Sequence, residues 1–353
     1  MNLLSRSSVK IPKLELFEDQ FSLSIVGRPI QVKTNSFSLR LPPHASATLL
    51  LIQSLASKKT IECDLLDNVW CENSVKAMDL ISSWWGLVPQ PLVTGGFYDE
   101  RPFSDKVGLA FSLGVDSMYS LFFGEQKPDY LIFVEGFDIP LEKEIVLEAC
   151  RRSVREICEE TGTQPIFVRT NLRENRFLKT QGWERTHGSA LAFVGHCLSG
   201  HISRFIISST FSKKAASPWG SHYDLDSLWS SGSLQIVHSG ADIGRSEKLQ
   251  RLITEPRSRE IVSKHLRVCW EDPSNFGNCG KCYKCIRTRL ELRKYTKDPI
   301  LKTMPEEVSL ITAIKDLPRQ NPPYFLYEEA MDGQSDEVRA VMLETLERWK
   351  KEA

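Results

Sequence analysis

Between residues 107 and 208 four short, uninterrupted apolar runs alternate with helical patterns, and nothing else in the chain constrains the fold as much. Val107-Gly108-Leu109-Ala110-Phe111 reads as a strand, and a helix follows from Asp116 to Phe123. Tyr130 to Val134, Pro165 to Val168 and Phe205 to Ser208 read as three more strands, with helices over Leu141 to Thr161 and Ser189 to Ser199 between them. Leu234-Gln235-Ile236-Val237 supplies a fifth strand. Strands without polar alternation are covered on both faces, and strands separated by helices pair in parallel. The expected fold class is therefore α/β, a parallel sheet with helices on both faces. Open sheets of this kind bind ligands beyond the carboxyl ends of their strands. The loops at 112–117, 135–140, 169–188 and 209–230 are accordingly expected to converge.

At 353 residues the chain exceeds one such domain, since a domain takes roughly 100–200 residues. Residues 1–102 read as a smaller, β-rich α+β unit, an accessory or recognition domain. Leu14 to Phe17, Phe21 to Ile25 and Ile30 to Val32 alternate around Gly27 and Pro29 as a hairpin would, and Asn73 caps a helix running to Trp85. The breaker-rich stretch from Val88 through Pro91 to Pro102 reads as a linker. Residues 103–300 form the main domain and 301–353 a helical tail, with an amphipathic helix over Ser335 to Lys350.

Forty-five basic residues balance 45 acidic ones, which argues against coating nucleic acid through bulk charge. No run reaches the roughly 18 apolar residues that span a bilayer. The first residues carry no apolar core with a cleavage site, so a cytoplasmic location and no membrane partner are expected. In a reducing compartment bunched cysteines read as metal ligands before disulfides.

Two motifs carry chemistry. The first strand runs into Ser112-Leu113-Gly114-Val115-Asp116-Ser117 and then a helix. A helix N-terminus offers unpaired N–H groups and partial positive charge to a phosphate. Gly114 permits close backbone approach, Ser112 and Ser117 offer hydroxyls, and Asp116 suits the turn or a Mg²⁺ ion. The same turn also caps helices that bind nothing. The second motif is Cys269-x9-Cys279-Gly280-Lys281-Cys282-Tyr283-Lys284-Cys285. Four thiolates in this spacing suit a closed, tetrahedral structural Zn²⁺, with Lys281, Lys284, Arg287 and Arg289 offsetting its negative charge. An iron–sulfur cluster uses the same ligands, and a redox dithiol is a further reading. The loop bearing Phe276 and Tyr283 would be pinned by the metal beside the sheet's carboxyl edge.

The first motif resembles the Ser-Gly-Gly-x-Asp-Ser PP-loop of the ATP pyrophosphatase superfamily, with Leu113 in place of the first glycine. The two motifs together, over about residues 105–295, resemble 7-cyano-7-deazaguanine synthase and its relatives. That resemblance implies an adenine nucleotide alpha hydrolase-like fold with a zinc-knuckle insertion, ATP, Mg²⁺ and Zn²⁺ as cofactors, and queuosine-type chemistry on 7-carboxy-7-deazaguanine. A carboxylate would be adenylated with loss of pyrophosphate and then attacked by an amine, giving a deazaguanine amide or nitrile, or an amide conjugate of a protein.

By this resemblance Ser112, Gly114, Asp116 and Ser117 form the pyrophosphate loop. Ser112, Asp116, Ser117 and Lys213 act in catalysis. Glu135, Gly136 and Phe137 lie where adenine would, while His187 and Gly188, at the opening of a helix, receive a phosphate or ribose. The dense loop 213–230 and the segment 236–248 supply Lys214, Trp219, His222, Asp226, Asp242 and Arg245 for a flat heterocycle. Cys269, Cys279, Cys282 and Cys285 hold the metal. The partners implied are the deazapurine acid, an amine donor, and a protein acceptor recognised by residues 1–102. A homodimer stays open, as do two alternatives: a tRNA-modifying PP-loop enzyme, and a nucleotide-binding scaffold that has lost catalysis through Leu113.

Overall fold

The computed structural model of the chain describes residues 8–10, 19–23, 29–35, 38–57, 60–63, 65–87, 92–269, 271, 277–296, 300–305, 307–318 and 330–351. The expected strand at Leu14 to Phe17, the turn at Gly27, the linker start at Val88 to Pro91 and the position of Phe276 lie outside these residues.

The first hundred residues hold short strands and two helices. They are β1 (Ser8–Lys10), β2 (Gln20–Leu23), β3 (Ile30–Thr34), α1 (Pro43–Ser57), β4 (Thr60–Cys63), β5 (Leu66–Asp67), α2 (Asn68–Trp85), β6 (Leu92–Thr94) and β7 (Phe97–Tyr98). The alternating region gives β8 (Val107–Ala110), α3 (Val115–Phe123), β9 (Tyr130–Glu135), α4 (Glu144–Thr161) and β10 (Gln164–Thr170). It continues through α5 (Arg176–Gln181), α6 (Trp183–Cys197), β11 (Arg204–Ser208), β12 (Gln235–Ser239), α7 (Arg245–Thr254), α8 (Pro256–His265) and α9 (Tyr283–Arg293). The tail adds α10 (Leu310–Asp316) and α11 (Asp336–Lys351).

The central sheet runs β12-β11-β8-β9-β10-β3-β2. Its five strands from β8 to β12 pair in parallel, as the apolar runs predict. It is nevertheless mixed, because β3 adds antiparallel to β10 and β2 to β3. The shared sheet and a common apolar cluster, which runs from Ile30 and Trp70 to Phe193 and Ile236, tie residues on both sides of position 102 together. A separate three-stranded sheet, β1-β4-β6, and the pair β5-β7 complete the strands.

Strand order reverses at β8: β9 and β10 follow on one side, β11 and β12 on the other. The crevice at the carboxyl ends of β8 and β11 is thus the topological switch point, where open α/β sheets take their ligands. Buried residues of the strands sort by parity onto two faces. Leu109, Leu131 and Phe167 pack on the face shared with α3, α4 and α7, and Ile132, Val168, Phe205 and Ile236 on the face shared with α1 and α6. Helix α4 shows why it docks: Val146, Leu147, Cys150, Val154, Ile157 and Cys158 recur at helical spacing on its buried side. The tail is a third cluster, in which Leu310, Ile314, Met342 and Trp349 close over Ile286 and Leu290 of α9.

Three element boundaries differ from expectation. Helix α2 begins at Asn68, not after Asn73, because the buried Asp67 carboxylate accepts from Trp70 N at 2.9 Å and caps it there. Helix α1 is absent from the sequence reading, and with α2 it gives this region two helices among its short strands. Helix α6 begins at Trp183, six residues ahead of Ser189. Among the described residues no helix is long and apolar enough to cross a membrane.

Candidate functional site at the switch point

The turn between β8 and α3 is built around one unusual residue. Leu113 sits at φ 64° and is the one described non-glycine residue at positive φ. Its side chain is fully buried in the α3 face of the core, so it points away from the turn's open side. Its carbonyl accepts from Arg267 N at 3.0 Å. Gly114 is the N-cap of α3, and its carbonyl accepts from Met118 N at 2.9 Å and from Ser117 Oγ at 3.1 Å. Ser112 N donates to Ser117 Oγ at 3.3 Å. Among the described residues the amides of 113–117 have no main-chain acceptor. Successive free N–H groups at a helix start form a concavity suited to an anion.

Asp116, in the first turn of α3, is met by a lysine that the sequence reading leaves unassigned. Lys248 Nζ donates to Asp116 Oδ1 at 2.9 Å and to the Ser209 carbonyl at 2.5 Å. The Lys248 side chain is 1% exposed and Asp116 24%. One ammonium therefore bridges both lips of the crevice, the loop after β8 and the end of β11. A signal for it exists in the sequence: Lys248 falls between Arg245 and Leu249, Leu252 on the buried face of α7, and a charge on an apolar face needs a partner. Beside it the hydroxyls of Ser208, Ser120 and Ser239 form a chain, at 2.8 and 3.2 Å.

Other expected ligand-binding positions are placed differently. Glu135 is buried, and its oxygens accept from Arg151 (2.6 and 3.0 Å) and Arg169 (3.0 Å), so this carboxylate is consumed inside the fold rather than offered to an adenine. Gly136, at φ 94°, turns the chain where a Cβ would run into the Thr170 carbonyl. Phe137 is buried edge-to-face on Trp183, with ring centres 5.0 Å apart. His187 and Gly188 lie inside α6, not at its opening. Glycine is required at 188 because the Gly220 carbonyl passes against it. His187 Nδ1 pairs with the Trp183 carbonyl at 2.9 Å, and burial lowers its pKa.

The loop after β11 gathers rings. His187 lies 5.9 Å from Trp219, and Trp219 lies 5.8 Å from Phe211. With Phe137 and Trp183 they run from the end of β9 to the end of β11. Lys213 pairs with Asp242 at 3.0 Å, both exposed, which zips this loop to the one after β12; Lys214 is exposed. Asp226 is wholly buried, accepts from Ser221 Oγ at 2.7 Å and His222 N at 3.2 Å, and pairs with His238 Nδ1 at 2.7 Å. His222 packs 4.8 Å from Trp84, and burial lowers its pKa. Arg245 is drawn away from the crevice: it is ion-paired to Glu291 and donates to Thr288 Oγ1 at 2.9 Å. It fastens α7 to α9 and is not free to meet a substrate.

The four cysteines come together. Their sulfurs all lie within 4.8 Å of one another, with Cys269–Cys282 and Cys279–Cys285 each at 3.9 Å. Metal–sulfur bonds of about 2.3 Å in a tetrahedron place sulfurs roughly 3.8 Å apart, whereas a disulfide requires about 2.05 Å. Two amides donate to sulfur, Cys279 N to Cys269 at 3.4 Å and Cys282 N to Cys279 at 3.2 Å. Hydrogen bonds from Cys282 and Cys285 hold the Cys269 thiol far below the ordinary thiol range. The donor set fits a metal ion such as zinc. Of the expected charge partners, Arg289 donates to the Gly280 carbonyl at 3.0 Å, while Arg287 pairs with Glu291.

Comparison with protein-family models, curated proteins and solved structures finds no match to this chain. Fold and site define an α/β protein with a mostly parallel sheet, an N–H-lined turn at its switch point and a metal-competent four-thiol group beside it.

Proposed function

We propose that the chain is an ATP-dependent ligase of the PP-loop kind, adenine nucleotide alpha hydrolase-like in fold, which adenylates a carboxylate and passes the acyl group to an amine. The observation that carries this reading is the turn 112–117. It lies at the switch point, its amides are unclaimed by main-chain acceptors among the described residues, and the leucine that departs from the resembled motif is buried behind it. A leucine buried behind the turn supports the ligase reading over that of an inactive scaffold.

In the first step a carboxylate oxygen attacks the α-phosphorus of ATP, and the bond to the bridging oxygen of pyrophosphate breaks. Charge growing on the pyrophosphate is met by the amides of 113–117 and the hydroxyl of Ser112, donors fixed in place before the reaction, while Ser117 Oγ, which donates to the Gly114 carbonyl, holds the turn in shape. Lys248 holds Asp116 by one oxygen, Oδ1. Mg²⁺, when bound, neutralises triphosphate charge, and Asp116 is the residue of this turn that would hold it. In the second step the amine nitrogen bonds to the acyl carbon and AMP departs. The rings of Phe137, Trp183, His187, Trp219 and Phe211 are the surface we assign to a flat heterocyclic acid, 7-carboxy-7-deazaguanine being the first to test. Zinc on the four thiols would have no open position and would serve architecture.

The test is incubation with ATP, Mg²⁺ and the deazaguanine acid, with ammonia or candidate protein amines, followed by pyrophosphate assay and product mass spectrometry. Acid-dependent pyrophosphate release with a new amide or nitrile is expected. Release no greater than with ATP alone would overturn the reading.

A further inference from the structure

We propose that His238 is the base that accepts the proton of the attacking amine, with Asp226 as its positioning residue; this rests on the ligase reading above. His238 lies near the carboxyl end of β12, two strands from β8 and so roughly 10 Å across the sheet. By strand alternation it shares the face of Ile236, the face of α6 and the ring-lined loop. The next residue, Ser239, is bound on the opposite face to Ser120 of α3 and, through its carbonyl, to Ser209 N at 2.8 Å. The imidazole is therefore fixed to the same sheet edge as the phosphate turn.

The hydrogen bonds define its chemistry. Asp226 accepts from Ser221 Oγ and His222 N, and an ionised carboxylate donates nothing. In the proposed role Asp226 is the acceptor of its pair with His238 and Nδ1 the donor. In the neutral ring this leaves a lone pair on Nε2. Nε2 has no protein partner among the described residues, and it is not among the atoms sealed from solvent. The ring is 6% exposed and the carboxylate fully buried. A buried Asp that fixes tautomer and orientation while the far nitrogen remains open is the arrangement in which histidine works as a base.

The step balances. The amine nitrogen forms a bond to the acyl carbon, and the mixed-anhydride C–O bond breaks with its electron pair leaving on AMP. The surplus proton of the nitrogen passes to His238 Nε2 and then to solvent. No other reactant is needed.

The experiment compares two nucleophiles in the full-length protein. Ammonia is protonated at neutral pH and its adduct must lose a proton, while hydroxylamine is unprotonated there and far less dependent on a base. In His238→Gln, ammonia-dependent amide formation is expected to fall about 100-fold, while hydroxylamine-dependent formation falls much less. The hydroxylamine-to-ammonia ratio then rises by a similar factor. Asp226→Asn should move the ratio in the same direction by a smaller factor. ATP–pyrophosphate exchange, which reads adenylation alone, reports whether each variant still folds around its nucleotide. Equal losses with both nucleophiles, or an unchanged ammonia rate in His238→Gln, overturn the assignment of the base alone. Absence of acid-dependent exchange in the unaltered protein overturns the ligase reading and this assignment with it.

Discussion

The main-chain carbonyl of Leu113 accepts a hydrogen bond from the amide of Arg267 at 3.0 Å, two residues before Cys269. The phosphate turn and the thiol cluster, more than 150 positions apart in sequence, are thereby joined by a peptide hydrogen bond as well as by the apolar cluster that holds Leu113 and Cys269. The left-handed backbone of Leu113 is what presents that carbonyl, and its buried side chain anchors the bend.

Leu113→Gly therefore tests two opposing effects. Relief of the left-handed backbone returns about 1–2 kcal/mol, while removing a fully buried leucine side chain costs about 2–5 kcal/mol. A net destabilisation of about 2 kcal/mol is expected from urea unfolding, with ATP affinity little changed because the side chain faces away from the turn. A large loss of affinity would mean that Leu113 shapes the anion site directly.

Lys248→Met removes the bridge between Asp116 and Ser209. Breaking a buried ion pair costs about 3–5 kcal/mol, and the solvent access of Asp116 puts this one at the lower end. Affinity for ATP, read by calorimetry, is expected to fall about tenfold, equivalent to about 1.4 kcal/mol. Lys248→Met combined with Asp116→Asn should recover stability relative to the single lysine variant, since the stranded carboxylate is gone.

These two residues also show where a sequence can be read and where it cannot. The five parallel strands were legible because both-face burial writes itself as unbroken apolar runs such as Tyr130 to Val134. The cysteine cluster was legible because ligand spacing is local. The antiparallel addition of β3 to β10 was not, because Thr34 and Val168 meet across more than 130 residues and no local pattern encodes that pairing. Helix α1 was hidden by Pro42-Pro43, which reads as a breaker, although proline at a first helical position is compatible with a start. The resemblance and the dense polar and aromatic run around them point Asp226, His222 and Arg245 at a ligand. Polarity does not say whether Asp226 faces a ligand or, as here, His238.

A metal held by the four thiols would brace the tail. Cys282 is the N-cap of α9, and Ile286 and Leu290 of that helix found the third core cluster. Structural zinc contributes about 10 kcal/mol or more of binding free energy in small domains, so its removal should unfold a region rather than loosen it. Strong chelation or Cys282→Ala is expected to abolish bound metal by elemental analysis. Hydrogen exchange should then rise from Cys269 through α11 while β8 to β10 stay protected. Full metal content in Cys282→Ala would refute the four-thiol site.

Part of the acid sensitivity should trace to two histidines that meet between helices, His44 of α1 and His196 of α6. The rings of His44 and His196, both fully buried, meet edge-to-face with centres 4.8 Å apart. Burial, then the His196 ring, then Arg40 hold His44 well below the ordinary imidazole range. Burial lowers His196 to about 4, against the opposing hydrogen bond to the Trp229 carbonyl. In the unfolded chain both take a proton at about 6.5. Below that pH the unfolded state binds more protons than the folded one, so stability falls on acidification and recovers as pH rises. Each histidine contributes a slope of up to about 1.4 kcal/mol per pH unit, and for His196 the window runs from the unfolded value down to about 4. His196→Gln keeps a donor for the Trp229 carbonyl but takes up no proton. It is expected to remove the His196 share of that slope, up to about 1.4 kcal/mol per pH unit, between neutral pH and pH of about 5, before carboxylates titrate. Urea midpoints across that range measure it, and an unchanged slope would show that the His196 ring is not held neutral by the fold.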